Sequence, residues 1–185
     1  MNDQINPEPL NKTGKVMVAL IILEVIVMWM FAIYACLTLP QEVPVHFGFK
    51  GEPTRYGDKS TFLIVPAAFS TAPVIFLLLT KFRFTLINRY PYLINLPGFF
   101  INITKLSPEK RGFWINRYFE AVLCLGVILT FSLLIIELGI YLGKIHGKLP
   151  LWFLPFSLSM PAWLIFPFFI YLSKLSKDMK EEIEK

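Results

Sequence analysis

Two histidines and a few carboxylates are the side chains of this 185-residue sequence whose types could do chemistry. His46, Glu52 and Asp58 share one short segment, and His146 lies in another. Imidazole nitrogens and carboxylate oxygens bind zinc and other transition metals, so these four residues are candidate metal ligands. Their spacing matches no established ligand motif. The alternative is that His46 orders its own segment through a hydrogen bond to a loop carbonyl and that His146 is an exposed loop residue.

Two other carboxylates, Glu24 and Glu137, interrupt long apolar runs. Carboxylates inside hydrocarbon are costly and usually functional, so both residues are candidate intramembrane sites. They allow one alternative function, an ion- or proton-coupled transporter. The histidines allow another, a small metal-binding membrane enzyme that uses His46 and His146. Few other polar residues accompany the two glutamates, which makes a water-filled route through the protein a poor prospect.

Four apolar runs must position these groups, in a sequence that is 55% hydrophobic and contains 18 phenylalanines. Each run has about the 20 residues that a helix needs to cross a bilayer. The runs are Val16–Leu39, Phe62–Thr80, Tyr118–Leu142 and Leu151–Leu172. A cleaved signal peptide is the alternative for the first run, but the run is too long and is interrupted by Glu24. The sequence therefore predicts an all-α integral membrane protein with four transmembrane helices.

The basic residues predict the orientation of these helices. Thirteen of the 18 lysines and arginines lie in the two tails and in the loop between helices 2 and 3. Cytoplasmic loops carry the excess of positive charge, so both termini are expected in the cytoplasm. Residues 39–59, between helices 1 and 2, are then extracytoplasmic. Because the positive charge follows the membrane topology, no nucleic-acid partner is expected.

The outward segment, LPQEVPVHFGFKGEPTRYGDK, has a pattern of its own. Apolar residues alternate with others from Val43 to Lys50, which predicts a strand with an apolar face on the helix ends and with His46 and Lys50 toward water. Gly51-Glu52-Pro53 predicts a turn. We expect a small strand-turn loop there.

This stretch resembles the prokaryotic membrane domain of unknown function at the N-terminus of SdpI-type immunity proteins. The resemblance covers about residues 16–80 and rests on one set of matches: Leu39, Pro40, Val43, Pro44, His46, Phe47, Gly51, Pro53, Lys59 and Pro66. Thr54 replaces the usual aspartate, and the arginine-containing C-terminal motif of SdpI-type proteins is missing. The resemblance implies a prokaryotic plasma-membrane protein and, more weakly, immunity to a secreted peptide.

The segments along the chain follow from these patterns. They are a flexible tail (1–14), helix 1 with the outward loop and helix 2 (15–83), an interfacial cytoplasmic loop (84–114), helices 3 and 4 (115–173) and a charged cytoplasmic tail (174–185). Gly139 and Gly143, four residues apart, are predicted to let another helix approach closely. Pro73 is expected to break helix 2 near Phe69.

These features favour a non-catalytic multi-pass protein over an enzyme. No nucleophile–base pair or nucleotide-binding loop is present in the sequence. The expected role is recognition of the immunity type or that of an accessory subunit of a larger membrane complex. Its partners would be the bilayer, other membrane subunits or a second copy, and an extracytoplasmic peptide. The predicted interaction residues are Pro44, His46, Phe47, Gly51, Glu52, Pro53 and Lys59. No cofactor is indicated beyond the possible metal ion.

Overall fold

The structure, a computed structural model, describes residues 4–90 and 103–184. Within them, four helical segments are long and apolar enough to cross a membrane: Lys12–Thr38, Lys59–Lys81, Pro108–His146 and Phe153–Ile183. A two-stranded sheet lies between the first and the second along the chain. The prediction of four spans with a small structured loop is confirmed. Residues 91–102 of the predicted interfacial loop (84–114) lie outside the described residues.

The elements follow in chain order. They are α1 (Lys12–Thr38), β1 (Glu42–Phe47), β2 (Pro53–Asp58), a 3-10 helix (Lys59–Leu63), α2 (Ile64–Phe69), α3 (Thr71–Lys81), α4 (Arg83–Arg89), α5 (Pro108–His146) and α6 (Phe153–Ile183).

Local chemistry sets several of these boundaries. The Asn11 side chain accepts a hydrogen bond from the Gly14 N–H at 2.8 Å and so caps the start of α1. Helix α5 begins at Pro108, whose missing N–H costs nothing in a first turn. It ends at His146, before Gly147, whose positive φ of 64° suits a helix C-terminus. Helix α2 ends at Phe69, four residues before Pro73, as the proline pattern predicts.

The described residues form two compact units. The first comprises the described residues within Met1–Ala19, Ile75–Leu125 and Ile165–Lys185. Its core is a continuous apolar cluster contributed by the N-terminal segment, α4, the residues just before α5, α5 and α6: Ile5, Phe84, Ile87, Ile103, Leu106, Trp114, Ile115, Phe119, Ala121, Val122, Leu172, Leu175 and Met179. Close packing of these side chains stabilises the unit.

A buried arginine joins the N-terminal segment to this first unit. Arg83 donates hydrogen bonds to Asn116 Oδ1 (2.7 Å), to the Thr80 carbonyl (2.8 Å) and to the Glu8 carbonyl (2.6 Å). Its burial lowers the pKa of the guanidinium. Nearby, the Asn88 side chain exchanges two hydrogen bonds with the backbone of Ile5, both at 2.9 Å. The segment that was predicted as a flexible tail thus has specific contacts, which its sequence did not indicate.

The second unit comprises Leu20–Val74 and Gly126–Leu164. Its buried cluster is smaller and consists of Ala32, Ala35, Leu39, Val43 and Phe62. Strands β1 and β2 pair antiparallel as a hairpin, with Glu42 opposite Asp58 and Phe47 opposite Pro53. An irregularity lies between Pro44 and His46. This hairpin is the candidate functional element of the unit.

The hairpin differs from the predicted strand in two respects. First, β2 was not predicted, because Pro-Thr-Arg-Tyr-Gly-Asp lacks the alternation of a strand and acquires its conformation by pairing with β1. Second, the predicted apolar face does not extend to Phe49, which is 97% exposed. The irregularity shifts the alternation, so Val43 is buried while Phe47 is only partly so.

Candidate functional site

The hairpin is held to α5 and to the segment that follows it by two hydrogen bonds. The Lys144 Nζ donates to the Pro44 carbonyl at 2.8 Å, and the Leu149 N–H donates to the Gly51 carbonyl at 2.8 Å. Gly51 has a φ of +73°, a conformation that glycine adopts without strain. The hairpin is therefore fixed both at its first strand and at its turn.

Two glycines of α5 provide the space for close packing inside this unit. A Cβ at Gly143 would lie 2.8 Å from Leu149 Cδ2 and 3.0 Å from Phe47 Cζ. A Cβ at Gly139 would lie 2.4 Å from Phe153 Cδ2. Both glycines were predicted as helix-packing positions. The structure places them against the hairpin, the segment after α5 and the start of α6.

Aromatic rings pack against one another beside the hairpin. The rings of Phe31 and Tyr141 meet edge to face at 5.1 Å between centroids, and Phe62 packs against both at 6.3 Å. The Lys144 Nζ lies 5.9 Å from the centre of the Phe62 ring, within the range of a cation–π contact. Lys144 is only 7% exposed, so a cation is buried between the hairpin and an aromatic cluster.

A cavity of about 710 Å³ opens beside the hairpin. Its walls come from β1, β2, the second span, α5 and α6. They comprise Pro44, Val45, His46, Phe47, Gly48, Phe49, Arg55, Thr61, Ile64, Val65, Ile140, Lys144, Leu149, Phe153 and Leu154. Most of these side chains are apolar. Among the described residues, the lining also includes Lys144, Arg55 and His46, but no carboxylate. Such a cavity is suited to a ligand with an apolar body and a negative group.

Comparison with known proteins places the chain in a family. It is 46% identical over 179 residues to an uncharacterized protein of Archaeoglobus fulgidus, and the match covers 97% of this chain and 98% of the relative. The chain belongs to the family of this archaeal protein. Residues 23–69 match the family model described as Domain of unknown function (DUF1648), a prokaryotic membrane domain. No solved structure matches the chain. The family is thus one of multi-pass membrane proteins of unknown function, and the link to SdpI-type immunity proteins stays a prediction.

The domain match includes the whole hairpin but not α5 or α6. Of the seven predicted interaction residues, three line the cavity: Pro44, His46 and Phe47. The other four have contacts that hold the hairpin in place. Gly51 accepts from Leu149, Pro53 pairs with Phe47, Glu52 lies 3.9 Å from the ammonium of Lys148, and Lys59 donates to the Leu39 carbonyl at 3.3 Å.

The candidate metal ligands do not come together. His46 Nδ1 hydrogen-bonds Thr54 Oγ1, and Asp58 accepts from Gln41 and from the Ser60 amide. His146 is exposed at the end of α5. Over residues 4–90 and 103–184, no three His, Cys, Asp or Glu side chains are placed to hold a metal ion. The described structure therefore does not bring this set together, and the metal-site hypothesis stays a prediction.

The two intramembrane glutamates both lie in the second unit. Glu137 is fully buried in α5, and in the described part of the chain neither of its carboxylate oxygens has a hydrogen-bond partner. Glu24 Oε2 is likewise buried without a partner. Buried polar atoms of this kind are rare in folded proteins. The structure thus keeps both residues as candidate sites without assigning them a role.

Sequence reasoning missed two residues of this site, Lys144 and Arg55. From the sequence, Lys144 is only one of the five basic residues that lie outside the two tails and the loop between helices 2 and 3. A signal was available, because Glu137, Ile140 and Lys144 recur at the spacing of one helical face. Arg55 gave no comparable signal, since its position opposite His46 depends on the unpredicted strand β2.

Proposed function

We propose that this protein is a non-catalytic recognition protein of the prokaryotic plasma membrane. In this proposal the hairpin and its cavity bind a ligand at the extracytoplasmic face. The observation that carries the proposal is the cavity of about 710 Å³ beside a firmly anchored hairpin. A preformed concave site with few polar groups is typical of ligand binding.

The chemistry of the lining favours binding over catalysis. Within residues 4–90 and 103–184, the only hydroxyl-bearing side chain of the lining is Thr61, which already donates to the Asp58 carbonyl at 2.7 Å. In the same residues the one imidazole of the lining, His46, bonds Thr54 and has no carboxylate in the lining to orient it. General acid–base or nucleophilic catalysis requires such oriented pairs. A binding site requires only shape and complementary charge.

The distribution of lysine and arginine supports the proposed orientation, with both termini inside and the hairpin outside. Single cysteines test it in a variant that lacks Cys36 and Cys124. A membrane-impermeant maleimide added to intact cells should label Lys50→Cys and should leave Glu184→Cys unlabelled until the cells are opened. The reverse pattern would invert the topology and place the cavity in the cytoplasm.

Photo-crosslinking tests the proposed site directly. Phe49 lines the cavity and is almost fully exposed, so a photoreactive amino acid there should form an adduct with a bound ligand. The matched control is the same replacement at Leu158, an exposed apolar residue of α6. A tryptophan at Ile64, a lining residue, should abolish the adduct at position 49. An adduct that persists with Ile64→Trp, or that forms equally at position 158, would contradict the proposal.

A second candidate, an accessory subunit of a larger complex, is favoured by the fourth span. Only 6% of its apolar window is buried within the described structure. Such a surface suits lipid or a neighbouring membrane protein. Purification in a mild detergent followed by mass measurement distinguishes the two. A stable co-purifying protein supports the subunit role, and a lone monomer counts against it.

A further inference from the structure

We propose that the cavity beside the hairpin binds the anionic headgroup of a membrane phospholipid. The phosphate would lie by Lys144 and Arg55, and the acyl chain along the apolar wall. This inference rests on the proposed function and names the ligand class of the same site. It follows from the state of the buried lysine, from the charge of the lining and from the location of the apolar residues.

The first observation is the incomplete bonding of Lys144. An ammonium group has three N–H donors, and in the described residues the structure provides one acceptor, the Pro44 carbonyl. The side chain is 7% exposed, and no carboxylate of the described chain forms an ion pair with it. A buried cation without a counter-ion is expensive. An anion in the cavity would supply both the charge and the missing acceptors.

The second observation is the positive charge of the side chains that line the cavity. Arg55 and His46 line the cavity with Lys144, and none of the lining residues that the structure describes is acidic. The acidic residue of the hairpin turn, Glu52, lies within ion-pair distance of Lys148 instead. Arginine and lysine together are a usual arrangement for binding phosphate, since guanidinium and ammonium donors both shorten and strengthen hydrogen bonds to it.

The third observation distinguishes a lipid from a free anion. The wall of the cavity away from the hairpin consists of Ile64, Val65, Ile140, Phe153 and Leu154, all within the membrane-spanning segments. Phe49, which also lines the cavity, is 97% exposed. An apolar wall within membrane-spanning segments suits an acyl chain, which is as apolar as the side chains that line it. The site thus joins a cationic end at the hairpin to an apolar end within the bilayer, which matches an amphiphile.

Native mass spectrometry of the full chain in detergent tests this inference. The added probes are palmitoyl-oleoyl phosphatidylglycerol, its phosphatidylcholine counterpart and inorganic phosphate. The wild type should retain phosphatidylglycerol about tenfold better than phosphatidylcholine. Lys144→Met should lose about tenfold of this retention, the amount expected from one charge-assisted hydrogen bond to phosphate. The matched control is Lys50→Met, which removes an exposed lysine of the hairpin turn that is not among the lining residues and should retain the lipid as the wild type does.

Two more variants keep the test valid if Lys144→Met does not fold. Arg55→Gln and Ile64→Trp leave the bond between Lys144 and Pro44 in place, and both should weaken retention of phosphatidylglycerol. Equal retention of the two lipids by the wild type overturns the inference. So does displacement of phosphatidylglycerol by equimolar phosphate. If a peptide or protein adduct forms at Phe49 while the lipid is not retained, the lipid inference fails and the proposed function stands. If neither occurs, both fail.

Discussion

In the described residues, each of the two units buries one cation, and the two cations differ in how many hydrogen-bond acceptors they have. In the first unit Arg83 is 8% exposed and has three oxygen acceptors, all neutral. In the second unit Lys144 is 7% exposed and has one, beside an open cavity. A buried cation can be stabilised by acceptors within the chain or by an added anion. The buried cation of the first unit is therefore bonded by the chain itself, whereas that of the second unit has room for a ligand beside it.

The apolar core is also more extensive in the first unit than in the second. The first unit contains a cluster of buried residues drawn from the N-terminal segment, the residues just before α5 and three helices, whereas the cluster of the second consists of five residues around the base of the hairpin. Buried oxygens without partners are also found in the second unit, in Glu24, Glu137 and Ser157. Thr80 Oγ1 is the one such atom in the described part of the first. Among the described residues, the unit with the cavity thus has more buried polar atoms without a hydrogen-bond partner.

The largest change in stability is expected from Arg83→Met, which removes the buried hydrogen bonds of the first unit. Removal of the guanidinium leaves three oxygens without their donor and should lower the free energy of unfolding by about 3 kcal/mol or more. Thermal denaturation in detergent micelles measures the loss. Arg89→Met, at an exposed arginine of the same helix, is the control and should change stability by less than about 0.5 kcal/mol. Equal effects of the two variants would mean that the buried bonds contribute little.

Glu137→Met tests the buried carboxyl of the second unit that has no hydrogen-bond partner among the described residues. Replacing a buried carboxyl that has no partner with an apolar side chain of similar size should stabilise the protein by about 1 to 3 kcal/mol. The same denaturation experiment measures the gain, with Glu120→Met as the control. Glu120 is also buried in α5 but pairs with Arg117 at 3.3 Å, so its replacement should destabilise. A loss of stability in Glu137→Met would show that this carboxyl has a partner, as a transport role requires.

Gly139→Val tests the packing of the second unit. The added side chain would overlap the Phe153 ring, since even a Cβ would lie 2.4 Å from it. Overpacking of this kind costs about 1 to 3 kcal/mol. Leu138→Val, at the exposed neighbouring position, is the control and should be nearly neutral. If both variants unfold at the same temperature as the wild type, the contact with α6 does not stabilise the protein.

Gly51→Ala should have a smaller effect, confined to the hairpin. A side chain at its positive φ is strained by about 1 kcal/mol, and the Cβ would lie 3.2 Å from that of Leu149. The matched control is Gly48→Ala in the same turn, where the nearest atom to an added Cβ is 3.4 Å away. Hydrogen exchange of the hairpin amides should increase in Gly51→Ala alone. Equal exchange in both would indicate that the turn is not fixed by its backbone conformation.

The smallest effect concerns pH. The Ser60 side chain and amide, together with Gln41, bond to the Asp58 carboxylate and hold its pKa below the ordinary value of 3.8. The bonded form therefore stabilises the fold above that value, and the stabilisation is lost as the pH falls through the lowered pKa. Unfolding temperatures measured between pH 6 and pH 3 should show this loss in the wild type and not in Asp58→Asn, which keeps the cap. An unchanged profile in Asp58→Asn would assign the acid sensitivity to another group.

Predictions from the sequence succeeded where one local rule was sufficient. The four helices of membrane-spanning length follow from apolar length, and the end of α2 at Phe69 follows from Pro73. Strand β1 follows from the alternation around Val43. Strand β2 could not be predicted, because its conformation depends on a partner strand. The metal hypothesis stays a prediction, since sequence proximity of His46 and Asp58 does not say which neighbours their side chains bond, and in the described structure they bond Thr54, Gln41 and Ser60.

The sequence by itself determined that the chain has four membrane-length helices and a strand with a turn after the first, because hydrophobic length and strand periodicity are properties of short segments. Only the tertiary structure decided that Lys144 is buried against Pro44, that Gly143 accommodates Phe47, and that a cationic cavity lies beside the hairpin. These contacts join residues about 100 positions apart in the chain. Their formation depends on how the helices pack, which no local pattern specifies.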